Sequence, residues 1–378
     1  MVRRVLNELV ARGHDVTAIA PPAPWSLANL LADHGEAALT PYRSAYPELA
    51  GRSVTLTDDV VPQVDGADLM IVHEWNDHDL VATLGTMRKR GARFTLFFHD
   101  THHRAVSAPE GIAVGHLAQN RASGPVGFYD IDTPVTLAAL ERDACDYLSA
   151  ELIPGYAAYL SFTGGPTLDR LERQYGSPAA RPLYCSVDAD RYRPLDSPAR
   201  WDLSYLGTYS PDRQPTLERL LIEPARRAPD RRFVVAGPQY PAGIDWPANV
   251  ERIEHLPPAE HPGFYSASRA TLNVTRADMI AAGWSPSVRL FEAAACGTAI
   301  ISDRWAGLDQ LLTPDTEILL ADSADDVATM LAEADLVAIG HAGRARILAE
   351  HTAAHRAEEL ERHLTVAMRL LEPVAMLI

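Results

Sequence analysis

The chain is 378 residues long, 47% hydrophobic and 22% charged, an ordinary folded composition with length for two domains rather than one. Its formal charge of −16 excludes a sequence-independent grip on nucleic acid or on an anionic membrane. No apolar run approaches the length that spans a bilayer, so no transmembrane segment is expected.

The chain opens in a helix, Val2–Arg12, in which Asn7 and Glu8 interrupt any signal-peptide core. Gly13 and His14 lead into a strand over Asp15–Ala20. Further strands are expected at Asp68–His73, Arg93–His99, Val126–Tyr129, Ala158–Phe162 and Pro182–Cys185, with a helix over Pro134–Arg142. The Pro/Arg/Asp-rich segment Asp188–Arg200 reads as a linker. Beyond it, strands recur at Leu203–Leu206, Arg232–Ala236, Val250–Glu254, Ala270–Val274, Ala299–Ser302 and Glu317–Leu320. Helices intervene at Gln214–Arg227, Ser287–Ala295 and Asp325–Ala334, and His341–Leu371 is helical throughout. Apolar runs alternating with helical patterns are the mark of βαβ units and parallel sheets, so the fold class is α/β.

The most informative stretch is Ser285-Pro-Ser-Val-Arg-Leu-Phe-Glu-Ala-Ala-Ala-Cys-Gly297, followed by the apolar strand Thr298–Ile301. Ser285 and Pro286 read as the N-cap and first residue of a helix. A helix N-terminus near Ser287 collects orphan N–H groups and positive partial charge, which suits a diphosphate. Arg289 adds a charge-assisted donor one turn in, and Glu292 can accept hydrogen bonds from a ribose. Upstream, Leu203-Ser-Tyr-Leu-Gly207 turns into a helix through Arg213, so backbone can approach a ligand at Gly207 and Arg213 can supply charge. Arg276, just past the strand end Asn273-Val274-Thr275, is a reserve clamp. For each residue a structural reading stands beside this one: a packed helix with a solvating Glu292, or Arg213 paired to Asp212 or Glu218.

Residues 285–308 resemble the donor-binding segment of GT-B glycosyltransferases, most closely the CgeB-like (spore maturation protein) family. The run Phe128-Tyr-Asp-Ile-Asp-Thr-Pro134 and the segment Leu183–Asp188 are similar to that family's pattern too. The resemblance implies two Rossmann-like domains with parallel sheets: residues 1–195 on the acceptor side and 196–352 holding a nucleotide-sugar. A helical tail, 353–378, would cross back. It implies transfer of a sugar from a UDP- or other nucleoside-diphosphate-sugar to an unknown acceptor, without a metal or cofactor. In its Glu-x7-Glu pattern, Glu292 stands at the second position and Trp284 at the first. That leans towards retention of stereochemistry while removing the sugar-facing carboxylate. Three widely spaced cysteines, Cys145, Cys185 and Cys296, read as reduced thiols of a cytoplasmic protein. Lys89 is the single lysine, so anion clamps are arginine, histidine or backbone, and the pyridoxal phosphate chemistry of some GT-B relatives falls away.

On the acceptor side the candidates are His99, Asp130 and Asp132. His99 ends a strand where GT-B enzymes often present a histidine, although His99-Asp-Thr-His-His103 is also readable as a bland loop. Asp130-Ile-Asp132 forms a D-x-D, which in GT-A enzymes holds a divalent ion; here a turn or helix cap, a cleft-facing acid and a metal ligand all remain open. Two oddities stand out. The strand and glycine turn that usually open a Rossmann-like domain do not precede Val2. Phe97-Phe-His-Asp-Thr101 and Phe128-Tyr-Asp-Ile-Asp-Thr133 look like two versions of one element, where one is expected, joined near residues 115–125. A nucleotide-sugar epimerase and a catalytically inactive truncated or hybrid binding relative are the alternatives.

Overall fold

The computed structural model describes residues 2–22, 25–73, 76, 78–100, 125–145 and 147–369. The chain divides into two compact units, residues 1–184 with 356–378, and residues 185–355.

Among the described residues the first unit contains seven strands: β1 (Ala18–Ala20), β2 (Ser53–Thr55), β3 (Leu69–His73), β4 (Thr95–Asp100), β5 (Val126–Asp130), β6 (Ala158–Ser161) and β7 (Ala180–Pro182). They form two separate parallel sheets, β1-β2 and β3-β4-β5-β6-β7, the latter in simple chain order. β3 to β6 follow from apolar runs that end up buried among Leu96, Val126, Phe128, Tyr159 and Leu137. β2 carries no such signal: all three of its residues are exposed, and it was not expected from the sequence. The two similar elements are adjacent strands in matched register, Phe98 opposite Phe128 and Asp100 opposite Asp130. The sheet therefore holds both copies, where one was expected. The join expected near residues 115–125 lies almost wholly outside the described residues.

The second unit contributes β8 (Trp201–Leu206), β9 (Phe233–Ala236), β10 (Val250–Ile253), β11 (Ser268–Asn273), β12 (Ala299–Ser302) and β13 (Leu319–Leu320). These form one six-stranded parallel sheet in the order β10-β9-β8-β11-β12-β13. Counted within the unit this is three-two-one-four-five-six, the doubly wound order, whose direction of winding reverses between β8 and β11. Leu203, Tyr205, Phe233, Val235, Leu272, Ile301 and the helix residues Leu217, Leu220, Leu221 and Val327 form its core.

The tail is two helices, Leu336–Glu350 and Ala353–Arg369, rather than one. The break falls where Val187 donates to His351 O at 3.2 Å and accepts from the Ala353 amide at 3.2 Å. Ala353–Arg369 then packs on the first unit. Its Leu360 joins Leu9, Phe97 and Ala158 in one apolar cluster, and Glu361 accepts from Arg12 Nε at 2.8 Å.

Candidate functional site

The candidate site is built at the ends of β8 and β11, where the strand order reverses. β11 leaves its apolar run at Asn273, whose side chain is fully buried and becomes the organiser of the surrounding loops. Asn273 Oδ1 accepts from Ser287 Oγ at 2.8 Å and from Arg289 Nη1 at 3.2 Å. Its Nδ2 donates to Ser302 Oγ at 2.9 Å and Thr275 Oγ1 at 3.2 Å, so donors and acceptors are all used. Beneath them Asp303, 4% exposed, accepts from the Thr275 amide and hydroxyl, each at 2.8 Å. Burial pushes its carboxyl above the ordinary aspartate range, and those hydrogen bonds oppose the shift.

The helix runs Val288–Ala295 with Ser287, not Ser285, as its N-cap. Ser285 is instead buried, its hydroxyl 2.8 Å from Met279 Sδ. The Ser287 hydroxyl bonds Asn273 rather than its own helix, so no side chain caps the first turn. The first amides of an uncapped helix lack intrahelical partners and remain available to an anion.

Arg289 is 9% exposed and largely committed within the protein. Its Nε donates to Leu206 O at 2.6 Å, Nη1 reaches Asn273, and the guanidinium lies 4.9 Å from the Tyr205 ring centroid. It thus ties the helix to the end of β8, and Nη2 is left without a hydrogen-bond partner among the described residues. A Cβ at Gly207 would lie 2.8 Å from that Nη2 and 2.7 Å from Tyr205 Oη, which is why the turn after β8 carries a glycine.

Arg213 lies in the same turn, half-buried, with Nη2 donating to Thr208 O at 2.8 Å and Nε buried without a partner. It pairs with neither Asp212 nor Glu218. Asp212 accepts from the Ala277 amide at 3.0 Å, and Glu218 pairs with Arg226 at 2.6 Å. Arg276 is the half-buried N-cap of helix Ala277–Ala282. Trp284 stands at a left-handed φ of 44°, its indole N–H on Gln310 Oε1 at 2.9 Å. Glu292 projects from the second turn of the helix beside His261, with 3.8 Å between Oε2 and Nδ1.

In the first unit the structure corrects one expectation. Asp130 is not cleft-facing: it is 0% exposed, and its carboxylate accepts from Tyr159 Oη at 2.6 Å and from the Asp132 amide at 2.9 Å. Burial raises its pKa to about 6. An occluded carboxylate with both oxygens engaged is open neither to an acceptor nor to a diphosphate-bound ion, so this D-x-D is a turn device. Asp132 is half-buried at the N-cap of helix Thr133–Glu141, where its carbonyl, not its side chain, accepts the first helical bonds. His99 lies in β4, in register with His73 and Tyr129. Residues 101–103, the rest of the histidine-rich run, lie outside the described residues, as do Glu74 and Trp75.

Sequence reasoning named Asn273 only as a strand end and passed over Asp303 and His261. The available signal was a polar residue closing an apolar strand, as in Leu272-Asn273 and Ile301-Ser302-Asp303.

Comparison with known proteins identifies the fold. Residues 213–362 match the family model described as Glycosyl transferase-like. No curated protein matches the chain in sequence. Among solved structures, Anabaena Alr3699/HepE in complex with UDP aligns over 96% of this chain and 95% of its own, with a TM-score of 0.61 and 12% identity. Sucrose-phosphate synthase from Thermosynechococcus elongatus aligns over 97% and 93%, with a TM-score of 0.51 and 16% identity. The trehalose 6-phosphate synthase of Burkholderia multivorans covers 77% and 76%, at a TM-score of 0.53 and 13% identity. The chain has the GT-B glycosyltransferase fold, and the match to the glycosyl transferase-like model is confined to residues 213–362.

Proposed function

We propose that the protein transfers a sugar from a nucleoside-diphosphate-sugar to an acceptor, with the donor held by the second unit. The observation that carries this reading is Asn273 gathering Ser287 and Arg289 at the strand-order reversal, beside the Gly207 turn. Doubly wound sheets bind ligands at that position, and the Arg289 guanidinium there carries positive charge suited to an anion. In this reading the open helix amides, Arg289 Nη2, Arg213 and Arg276 hold the diphosphate, and Glu292 takes the ribose. As the glycosidic C–O bond breaks, negative charge grows on the leaving diphosphate. Preorganised N–H groups and guanidinium charge stabilise it there. The solved structures of Anabaena Alr3699/HepE in complex with UDP-glucose and with UDP support a nucleotide ligand of this kind.

His99 and Asp132 remain the proposed acceptor-side groups, and Asp130 is withdrawn from that role. Retention of stereochemistry, independence of metal, the CgeB-like subfamily and a cytoplasmic location belong to the same proposal. They rest on Glu292, on the D-x-D turn and on the motif resemblance. The test is thermal unfolding with UDP, GDP, dTDP and CMP, repeated on Glu292→Ala. A ligand at 100 times its dissociation constant adds roughly 2.7 kcal/mol, a shift of several degrees. A shift with one nucleotide that vanishes in the variant is the expected result. No shift with any of the four overturns the donor site.

A further inference from the structure

The turn after β8 is held by its carbonyl groups, and that decides where its amides face. Gly207 N–H donates to Ala236 O of β9 at 2.9 Å, and Tyr209 N–H donates to Pro238 O at 3.1 Å. Both amides therefore turn towards β9 and the loop that leaves it. Gly207 O turns the same way and accepts from Tyr240 Oη at 3.1 Å. Across a trans peptide the carbonyl and the following N–H point in opposite directions, and no cis bond occurs among the described residues. Leu206 O, which precedes the Gly207 amide, accordingly faces away from β9 and accepts from Arg289 Nε at 2.6 Å. By the same rule Thr208 N–H faces away from β9, to the side that carries Arg289. It has no hydrogen-bond partner among the described residues, whereas the carbonyl of Thr208 accepts from Arg213 Nη2 at 2.8 Å.

Tyr240 reaches Gly207 from the loop between β9 and β10, and its ring is fixed from several sides. The Arg252 guanidinium of β10 lies 4.2 Å from the Tyr240 ring centroid and 4.8 Å from that of Trp246. Arg252 donates Nη1 to Val235 O and Nη2 to Gly237 O, the latter at 3.0 Å, so the cation is anchored on β9 and its end. The rings of Tyr209 and Trp246 meet Tyr240 edge-on, each with centroids 5.6 Å apart. Cation–π and edge contacts of this kind hold a ring at a set angle. Burial keeps the Tyr240 phenol protonated above its ordinary range, so its O–H remains a donor to Gly207 O. Gly207 O has no other hydrogen-bond partner among the described residues. The phenol is thus what holds the 207–208 peptide plane from behind.

We infer that the Thr208 amide is a further anion donor of this site, and that Tyr240 is the positioning residue that aims it at the diphosphate. This rests on the reading of the second unit as the donor-binding unit. Nuclear magnetic resonance on the intact chain, labelled with 15N-threonine, tests it. The probe is whichever of UDP, GDP or CDP the wild type binds most tightly by titration calorimetry. Thr208→Ser removes one labelled residue and so assigns the resonance. In the wild type, that amide proton should move downfield as the nucleotide saturates the protein. Tyr240→Phe keeps the ring and its stack but loses the O–H, and near-UV circular dichroism checks its fold. It should bind the nucleotide about tenfold more weakly, the size of one hydrogen bond's effect. At saturation its Thr208 amide should stay near the free position, a readout that weaker folding alone does not move. Three results overturn the inference alone: a wild type that binds while the Thr208 amide stays still, a Tyr240→Phe variant that binds as tightly as the wild type, or one that shows the full wild-type shift at saturation. The first needs no variant. A wild type that binds none of the three nucleotides removes the donor reading and the inference with it.

Discussion

The two units use the same kind of parallel βαβ construction, yet they differ in strand order and in what the polar side chains at the strand ends engage. In the second unit the strand order reverses between β8 and β11, the position at which doubly wound sheets bind ligands. Asn273, Ser287, Arg289 and Gly207 meet there. In the first unit β3 to β7 run in simple chain order, with β1-β2 as a separate pair. The five-stranded sheet contains no reversal among the described residues. Its buried polar group, Asp130 with Tyr159, ties neighbouring strands β5 and β6 instead of facing a ligand. A D-x-D on a strand end is thus no guide to chemistry until the order of the strands is known.

The sharpest way to break the contrast is at Gly237, at the end of β9. It holds a φ of +138°, and a Cβ there would stand 2.1 Å from Gly207 O, in the turn that shapes the candidate site. Gly237→Ala should lower stability by about 3 kcal/mol or more, through strain and displaced backbone. Denaturant unfolding would check it, with the loss expected in a transition belonging to the second unit.

A smaller effect separates the units by pH. Asp130 has its native pKa raised to about 6, above the ordinary aspartate value of 3.8. Native protein therefore binds more protons than unfolded protein between those values, and stability falls as pH rises through that window. Urea unfolding of the wild type at pH 4 and pH 7 should show this decline, and Asp130→Asn should flatten it. A pH dependence left unchanged by Asp130→Asn would contradict the buried carboxylate.

The smallest effect concerns the tail. Glu361 accepts from Arg12 and His14, and the Arg12 hydrogen bond, ahead of His14, holds its carboxyl at about 2. That contribution is present above the ordinary glutamate range and lost as pH falls towards about 2. Glu361→Gln should cost at most about 1 kcal/mol at neutral pH, as surface ion pairs do, and should raise amide exchange in Ala353–Arg369. Unchanged exchange would mean that Leu360 and its apolar neighbours hold the tail unaided.

Much of the second unit was legible from the chain, because apolar runs alternating with helical periods are local properties. All six of its strands stand within a few residues of their expected positions. The candidate donor residues were named from the same local patterns, glycine turns and a helix opening with Ser and Pro. What the pattern does not hold is direction. β2 has three exposed residues and no periodicity, so pairing with β1 alone makes it a strand. The helix tail breaks at His351 because Val187, far away in sequence, bonds both sides of the break.

Residue types at a strand end therefore announced polar chemistry, and only the fold decided which way each group turned. Asp130 and Asp132 stand two positions apart; one is sealed under Tyr159 and the other is half-buried at a helix cap. Ser285 and Ser287 read alike in sequence, but packing buries the first and hands the second to Asn273. His261 carried no signal, because it comes to stand beside Glu292 only through the fold. The chain by itself determined the βαβ alternation and the inventory of polar groups, since both are written in near-neighbour spacing. Strand order, burial and hydrogen-bond partners depend on contacts between distant segments, and these the tertiary structure alone decided.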